Sequence, residues 1–218
     1  MGTSLIRNIF NVLLVLVPVL VLAPVQASAF YDPVEAGARK AVACAPCHRL
    51  NGVSQYPGIP NLAGQKRDVL RVQIRDFLNK KTPHPRLGAA SRSEDVMEHT
   101  VEGLSERAVF EVASYFSSLP CALPKKYSAD PVPDVISRCV RCHGVEGRNT
   151  YKNVPNLSGQ RKRYLENQLR ALRESGLVPN DPLVVRRRNH PMMGPEALFL
   201  SDGEINALAG YFSTRKCR

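Results

Sequence analysis

An internal repeat is the feature that most constrains the fold of this 218-residue chain. Residues 139–143, CVRCH, repeat residues 44–48, CAPCH, at an offset of 95, and the same offset relates VPNLSGQ (154–160) to IPNLAGQ (59–65). Further along, LSDGEINALAGYFST matches LSERAVFEVASYFSS at an offset of 96, which one inserted residue explains. Self-similarity sustained over this length indicates a tandem duplication, so the fold must contain two copies of one unit.

Both copies carry the apolar spacing of helices. In the last block of each copy, apolar residues recur at i, i+3, i+4 and i+7: Val109, Val112, Ala113 and Phe116, then Ile205, Leu208, Ala209 and Phe212. Ser105 is a candidate N-cap for the first of these helices, and Ser201 with Glu204 forms a candidate capping box for the second. Earlier helices are predicted over 66–80 and 161–174.

Neither copy shows the alternation typical of strands, so we expect an all-α fold of two tandem domains. The stretch 119–133, LPCALPKKYSADPVP, carries four prolines and marks the connection. The predicted boundaries are 30–120 for domain 1, 121–130 for the linker and 131–218 for domain 2.

The first 29 residues have the layout of an export signal. Arg7 precedes a nearly unbroken apolar run from Ile9 to Leu22, and Ala27 and Ala29 supply small residues at the −3 and −1 positions of a cut. We therefore predict a signal peptide cleaved after Ala29, with an uncleaved membrane anchor as the alternative. The mature protein is then expected outside the cytoplasm, in a compartment that permits disulfides.

Positive charge is concentrated in the second copy. Without the signal the net charge is +10; residues 30–120 hold 12 basic and 10 acidic residues, whereas residues 121–218 hold 17 and 9. This asymmetry predicts an acidic docking surface on a partner, either a redox protein or anionic lipid at the membrane periphery. Nucleic acid is not expected, because an exported protein seldom meets it. Arg186, Arg187 and Arg188 are the candidate docking cations.

The repeated cysteines admit three chemistries. A zinc shared by the two Cys-x-x-Cys pairs would leave both histidines unexplained, and a thioredoxin-like redox pair would need a βαβ pattern that is absent. Cys-x-x-Cys-His is the attachment sequence of c-type haem. Two covalently bound haem groups are therefore predicted, with these attachment residues and proximal ligands: Cys44, Cys47 and His48, then Cys139, Cys142 and His143.

The combination of motifs resembles one family. The chain has two Cys-x-x-Cys-His strings, each followed by PNL-[AS]-GQ, a methionine and a closing LS…YFS helix. In this order of motifs it resembles the di-haem cytochrome c4 family over essentially all of the mature chain. The resemblance implies two class I cytochrome c domains related by a pseudo-two-fold axis, with low-spin His/Met-ligated haems. It also implies electron transfer in the periplasm, and that the carbonyls of Pro60 and Pro155 accept a hydrogen bond from the proximal imidazoles.

The repeat register also indicates the distal ligands. Met97 lies seven residues before Leu104, and Met193 lies seven before Leu200, so both methionines occupy the same position of their copy. Met192 remains an alternative to Met193. His99 and His190 are close enough in sequence to leave a bis-histidine site open.

Two features depart from a simple copy of the family. Arg49 follows the first motif, whereas Gly144 follows the second, so the two haems are not expected to be equivalent. Cys121 and Cys217 each lie six residues after a repeat-matched tyrosine. We expect them to form one disulfide between the ends of the last helices, with an intermolecular bridge or a ligand role as alternatives.

Three functions are compatible with these residues. The first is an electron carrier between respiratory-chain or dehydrogenase donors and a terminal oxidase or reductase, with no small-molecule substrate. The second is an electron-transfer subunit docked permanently on a periplasmic oxidoreductase. The third, a haem enzyme acting on a small sulfur or peroxide substrate, lacks candidate acid–base residues near the motifs. The sequence therefore favours an electron-transfer protein over an enzyme.

Overall fold

The computed structural model describes residues 30–79, 91–92, 94–123, 132–177 and 188–217. The predicted signal peptide, most of the linker, and Arg186 and Arg187 lie outside these residues. No helix in the described ranges is long and apolar enough to cross a membrane.

Helices form nearly all of the regular structure in both copies. The first copy contains α1 (Pro33–Lys40), a 3-10 turn (Ala41–Cys44), α2 (Ala45–His48), α3 (Arg67–Leu78), α4 (Asp95–Val101) and α5 (Glu106–Ser118). The second contains a 3-10 turn (Asp134–Ile136), α6 (Ser137–His143), α7 (Lys162–Leu177), α8 (Met193–Ala197) and α9 (Asp202–Ser213). The all-α prediction is confirmed.

Local sequence signals define where the closing helices begin. Ser105 Oγ accepts a hydrogen bond from the backbone N–H of Ala108 at 3.2 Å, which caps α5. At α9, Ser201 accepts from the N–H of Glu204 while the Glu204 carboxylate accepts from the N–H of Ser201, a complete capping box. Both predicted caps are confirmed, because each depends on residues only three positions apart.

Each copy has its own apolar core. The first is built around Leu70 of α3 and Phe116 of α5, and the second around Leu165 of α7 and Phe212 of α9. These pairs are repeat counterparts, so one packing scheme is used twice. The helix predicted over 66–80 begins one residue later, with Lys66 as its N-cap, and the helix predicted from 161 begins at Lys162 and continues to Leu177.

A short strand pair, not predicted from the sequence, joins the copies. The strands β1 (Ser91–Arg92) and β2 (Arg188–Asn189) run antiparallel, with Arg92 opposite Arg188. These two arginines are counterparts at the offset of 96, so this pairing lies on the pseudo-two-fold axis. Two residues are too few for the alternating pattern by which strands are recognised in a sequence.

The PNL-[AS]-GQ loops form the contact between the copies. Gln160 accepts from the N–H of Asn61 at 2.8 Å and donates to the Asn61 carbonyl at 3.0 Å. Gln65 makes the same two bonds to Asn156, at 3.0 and 2.9 Å. Each loop thus forms the same two hydrogen bonds to the other loop, as a pseudo-two-fold arrangement requires.

The structure joins Cys121 and Cys217 in a disulfide, with a Cα–Cα distance of 6.1 Å. The bond connects the ends of α5 and α9. Gly64, of the first PNL-[AS]-GQ loop, contacts it so closely that a Cβ there would lie 2.5 Å from the Cβ of Cys121. The disulfide is therefore packed against the contact between the copies.

Candidate haem-binding sites

Each haem-attachment motif ends a short helix. The helix α2 stops at His48 because Arg49 has φ 61° and ψ 157°, and α6 stops at His143 because Gly144 has φ 76° and ψ 156°. Both backbone conformations lie outside the helical region. The turn places each histidine in the interior, where 4% of its surface remains exposed.

Both imidazoles are held in the orientation that a proximal ligand needs. His48 Nδ1 lies 3.0 Å from the carbonyl oxygen of Pro60, and His143 Nδ1 lies 3.0 Å from that of Pro155. A carbonyl can only accept, so Nδ1 carries the proton in both rings and the Nε2 lone pair is left for a metal. Burial lowers the pKa of His143, and the charges of Lys66 and Arg188 lower it further, which favours the neutral ring.

The four motif cysteines are half-buried and free of disulfides. Burial raises the pKa of the Cys44 thiol, with a contribution from Cys47, and raises that of Cys139 to about 11, with a contribution from Glu196. The described ranges contain no group of three or more His, Cys, Asp or Glu side chains placed to hold a metal ion. Two half-buried cysteines without a disulfide, next to a buried histidine, fit thioether attachment of a haem.

The repeat-matched methionines occupy similar positions. Met97 lies within α4 and Met193 opens α8, and both side chains are half-buried, Met193 against the second core. Met192, the alternative, is 63% exposed. A thioether that ligates iron must face the interior of its domain, which favours Met193.

The two other histidines are less suited to iron. His99 is exposed, and its counterpart in the second copy is Pro195. This repeat position therefore does not supply a histidine to both haem sites. His190 Nδ1 lies 3.3 and 3.2 Å from the backbone nitrogens of Met192 and Met193. Accepting from those N–H groups requires the proton on Nε2, the nitrogen that a ligand would need free.

Comparison with known proteins agrees with this geometry. A cytochrome c family model matches residues 134–216. A cytochrome c4 of Azotobacter vinelandii is 31% identical over 193 residues, covering 81% of this chain and 86% of that protein. A thiosulfate dehydrogenase electron acceptor of Stutzerimonas stutzeri is 32% identical over 188 residues, covering 79% of each. The crystal structure of reduced cytochrome c4 from Pseudomonas stutzeri matches with a TM-score of 0.64 and 26% identity, over 84% of this chain and 98% of that one. The chain belongs to the cytochrome c4 family.

Membership confirms the resemblance seen in the sequence. The chain is an electron-transfer cytochrome with two class I cytochrome c domains and covalently bound haem c. The geometry of the attachment motifs fits this cofactor, because each offers two half-buried cysteines without a disulfide beside a buried imidazole with a free Nε2.

Among the described residues, an ion-pair cluster lies at the second haem site and has no counterpart at the first. Arg138 and Arg141 of α6 lie 3.2 and 3.6 Å from the carboxylate of Glu196 on α8. Their first-copy counterparts are Ala43, Pro46 and Thr100, which cannot form ion pairs. The cluster links the attachment helix to the helix that begins at Met193.

A lysine of the first domain reaches the second haem site. Lys66 Nζ donates to Asn149 Oδ1 and to the carbonyls of Tyr151 and Val154, at 2.7, 2.8 and 2.7 Å. Burial lowers the pKa of Lys66, and Arg148 lowers it further. The sequence does not single out Lys66, since its counterpart in the second copy is another basic residue, Arg161, and nothing local distinguishes the two.

Of the three predicted docking cations, the structure describes Arg188. Its side chain is half-buried and donates to Gln168 and, at 3.4 Å, to Gln73 of the other domain. Gln73 and Gln168 are repeat counterparts, so Arg188 bridges the pseudo-two-fold contact. The Arg188 guanidinium is therefore engaged between the domains, and docking through the cluster of Arg186, Arg187 and Arg188 stays a prediction.

Proposed function

We propose that this cytochrome is a periplasmic two-haem carrier, with one haem c held by Cys44 and Cys47 and the other by Cys139 and Cys142. The axial ligands are His48 with Met97 and His143 with Met193. The observation that supports this most directly is the pair of buried imidazoles with identical 3.0 Å hydrogen bonds to Pro60 and Pro155.

This ligand set suits electron transfer. A methionine thioether raises the reduction potential of a haem relative to harder ligands. With both axial positions filled by protein, no coordination position remains for a substrate, so the protein's task is to hold the ligands fixed while the charge changes. The buried histidines and the domain contact supply that rigidity.

The proposal also includes the location of the protein and its division into domains. Cleavage after Ala29 releases a mature chain into the periplasm, the compartment in which a Cys121–Cys217 disulfide persists. Domain 1 then comprises 30–120 and domain 2 comprises 131–218, with the linker at 121–130. The two separate apolar cores support this division.

Spectroscopy and two ligand variants test the carrier. The purified holoprotein should contain two covalent haems, show the weak red absorption band of methionine ligation and bind neither cyanide nor carbon monoxide. Met97→His and Met193→His should each lower the potential of one haem and leave the other nearly unchanged, while Met192→His should change neither. A high-spin haem that binds carbon monoxide would contradict the carrier.

A second candidate is the electron-accepting subunit of a dehydrogenase. It is supported by the 32% identical relative that is named a thiosulfate dehydrogenase electron acceptor. Affinity purification of the tagged protein from its native periplasm distinguishes the two: a stoichiometric large subunit, with thiosulfate-dependent reduction of both haems, supports the subunit. Recovery of the cytochrome alone, reducible by several donors, supports the free carrier.

We further propose that the partner presents an acidic surface to the second domain. Arg141 lies within the second attachment motif with 72% of its side-chain surface exposed, and Arg148 is exposed in the loop that follows the motif. A variant with Arg141→Gln and Arg148→Gln should react more slowly with an acidic partner and should show a weaker dependence on salt. Arg39→Gln with Arg67→Gln removes the same charge from the first domain and should leave both unchanged. Equal effects of the two variants would refute docking at the second domain.

A further inference from the structure

The peptide that orients each proximal histidine is also bound by the opposite domain. The Pro60–Asn61 peptide accepts the His48 Nδ1–H on its oxygen, and its N–H donates to Gln160 Oε1 of the second domain. Both bonds act on one planar amide, whose carbonyl and N–H are conjugated.

The second domain contains the mirror arrangement. The Pro155–Asn156 peptide accepts the His143 Nδ1–H at 3.0 Å, and its N–H donates to Gln65 Oε1 of the first domain at 3.0 Å. Two hydrogen bonds and one amide therefore separate each glutamine from the imidazole of the other domain.

Each glutamine is fixed in the orientation this contact requires. Gln65 Oε1 also accepts from the N–H of Lys66, and Gln160 Oε1 from that of Arg161, both at 3.0 Å. The amide nitrogens donate to the carbonyls of Asn156 and Asn61. Since the nitrogen of each side chain donates and its oxygen accepts, flipping the amide would lose these bonds.

We propose that the two glutamines tune the haems crosswise: Gln160 sets the potential of the haem held by the first domain, and Gln65 that of the haem held by the second. They are positioning residues that act through a peptide and an imidazole. The proposal rests on His48 and His143 being the proximal ligands.

The direction of the effect follows from hydrogen-bond cooperativity. A peptide whose N–H donates to an acceptor becomes a stronger acceptor at its own carbonyl. A stronger acceptor draws the Nδ1 proton and makes the imidazole a more basic ligand, which favours ferric iron and lowers the potential. Loss of the glutamine oxygen should therefore raise the potential of the haem in the opposite domain.

Tuning through the peptide and a purely structural role in the domain contact predict different effects on the two haems. If the glutamines only hold the domains together, removing either one loosens the same contact and affects both haems alike. If they tune through the peptide, Gln65 and Gln160 act on different haems. The duplication thus supplies a matched control within the same chain.

The test is to measure both potentials of the holoproteins carrying Gln65→Met and Gln160→Met, each haem being identified by its response to Met97→His or Met193→His. Gln160→Met should raise the potential of the first haem more than that of the second, and Gln65→Met should do the reverse. Equal shifts, uncrossed shifts or no shift in folded protein would overturn the proposal.

A second measurement reports on the hydrogen bond itself. In the reduced, diamagnetic holoprotein, the NMR signal of the His48 Nδ1–H should move upfield in Gln160→Met, and that of His143 in Gln65→Met, because each hydrogen bond weakens. If neither signal moves, the peptide does not transmit the contact and the proposal fails. This readout does not depend on the distal ligands, so an error in the methionine assignment remains distinguishable.

A third variant tests whether the acceptor oxygen is the cause. Gln160→Glu keeps an oxygen acceptor for the Asn61 N–H, so the first haem should show no rise in potential and the His48 Nδ1–H no upfield shift. If Gln160→Glu raises that potential as Gln160→Met does, the acceptor oxygen is not the cause and the proposal is wrong.

Discussion

Arg49 occupies a backbone conformation that ordinarily belongs to glycine. Its φ of 61° and ψ of 157° lie in a region that side-chain-bearing residues rarely adopt, and it is the one non-glycine residue with positive φ in the described residues. Its counterpart Gly144 adopts nearly the same angles without a Cβ. Strain of this kind costs about 1–3 kcal/mol.

Arg49→Gly should therefore stabilise the first domain. Part of the relieved strain is offset by the greater freedom of glycine in the unfolded chain, about 0.4–1 kcal/mol, so we expect a net gain of about 1 kcal/mol in the free energy of unfolding. Denaturant titration of the oxidised holoprotein measures it. Arg49→Ala is the control, because it removes the charge but keeps the Cβ and should give no such gain. Equal stability of the two variants would show that strain is not the cause.

Lys66 carries a fixed positive charge from the first domain to the second haem site. Its ammonium group, held by three oxygen acceptors, is close enough to contribute to lowering the pKa of His143. A nearby cation disfavours ferric iron, so Lys66→Met should lower the potential of the second haem by tens of millivolts. Arg161→Met, at the counterpart position, serves as the control in a spectroelectrochemical titration and should leave the second haem unchanged. A fall of the first haem's potential in Lys66→Met would contradict this assignment.

At the scale of the elements, α1 and α5 are fastened by one buried carboxylate. Glu111 of α5 receives a salt bridge from Lys40 at 2.7 Å, a hydrogen bond from Tyr31 at 2.8 Å and a salt bridge from Arg107 at 3.0 Å. The hydrogen bond from Lys40, then that from Tyr31, contribute most to lowering the pKa of Glu111 from 4.5 to about 2. The crossing is close: a Cβ on Gly37 of α1 would lie 2.0 Å from the Glu111 carbonyl oxygen.

Glu111 should make the first domain sensitive to acid. Because its pKa is lower in the folded protein, the stabilisation is complete above about pH 4.5 and is lost as the pH falls towards about 2. Glu111→Gln should therefore reduce the melting temperature at neutral pH, and the difference from the original protein should shrink on acidification. Glu106→Gln, which affects an exposed carboxylate on the same helix, should cause a smaller loss. A difference that is constant with pH would mean that ionisation of Glu111 is irrelevant.

The same helices show which parts of the fold a sequence reveals. The stripe of Val109, Val112 and Phe116 and the caps at Ser105 and Ser201 are encoded within a few residues, and the structure has them as predicted. The Glu111 cluster is not recognisable in this way, because Tyr31 and Lys40 lie some 70–80 residues away from it. Long-range partners become visible only when the helices pack.

The haem sites likewise contain some residues that the sequence reveals and others that it does not. Residues adjacent in sequence, such as Cys139, Cys142 and His143, identify themselves by spacing, and the repeat then points to Met97 and Met193. The glutamines of the PNL-[AS]-GQ loops are present in both copies, but their partners are 91 and 99 residues away. Their presence in both copies marks them as part of the repeated unit. The packed structure then shows that each glutamine contacts the histidine-binding peptide of the other domain.

For the whole molecule, the Cys121–Cys217 disulfide is the covalent link that complements the linker. It closes a loop of 96 residues and connects the last helices of the two domains. In the chain-entropy description, a loop of about 100 residues corresponds to about 4–5 kcal/mol of stabilisation, and measured values are typically about 2–4 kcal/mol. The bond also packs against Gly64 in the contact between the domains.

A variant with Cys121→Ser and Cys217→Ser should lose about 2–4 kcal/mol of the free energy of unfolding. Its two haem potentials should stay nearly unchanged, because both copies keep their histidine–peptide–glutamine contacts while folded. Chemical denaturation and redox titration of the same preparation test both expectations, and non-reducing peptide mapping of the original protein must recover the two cysteines as one cross-linked peptide. Met192→Leu, at an exposed side chain outside the contact, is the control. A large change in potential without loss of stability would mean that the disulfide acts on the haems directly, rather than by limiting how far the domains can separate.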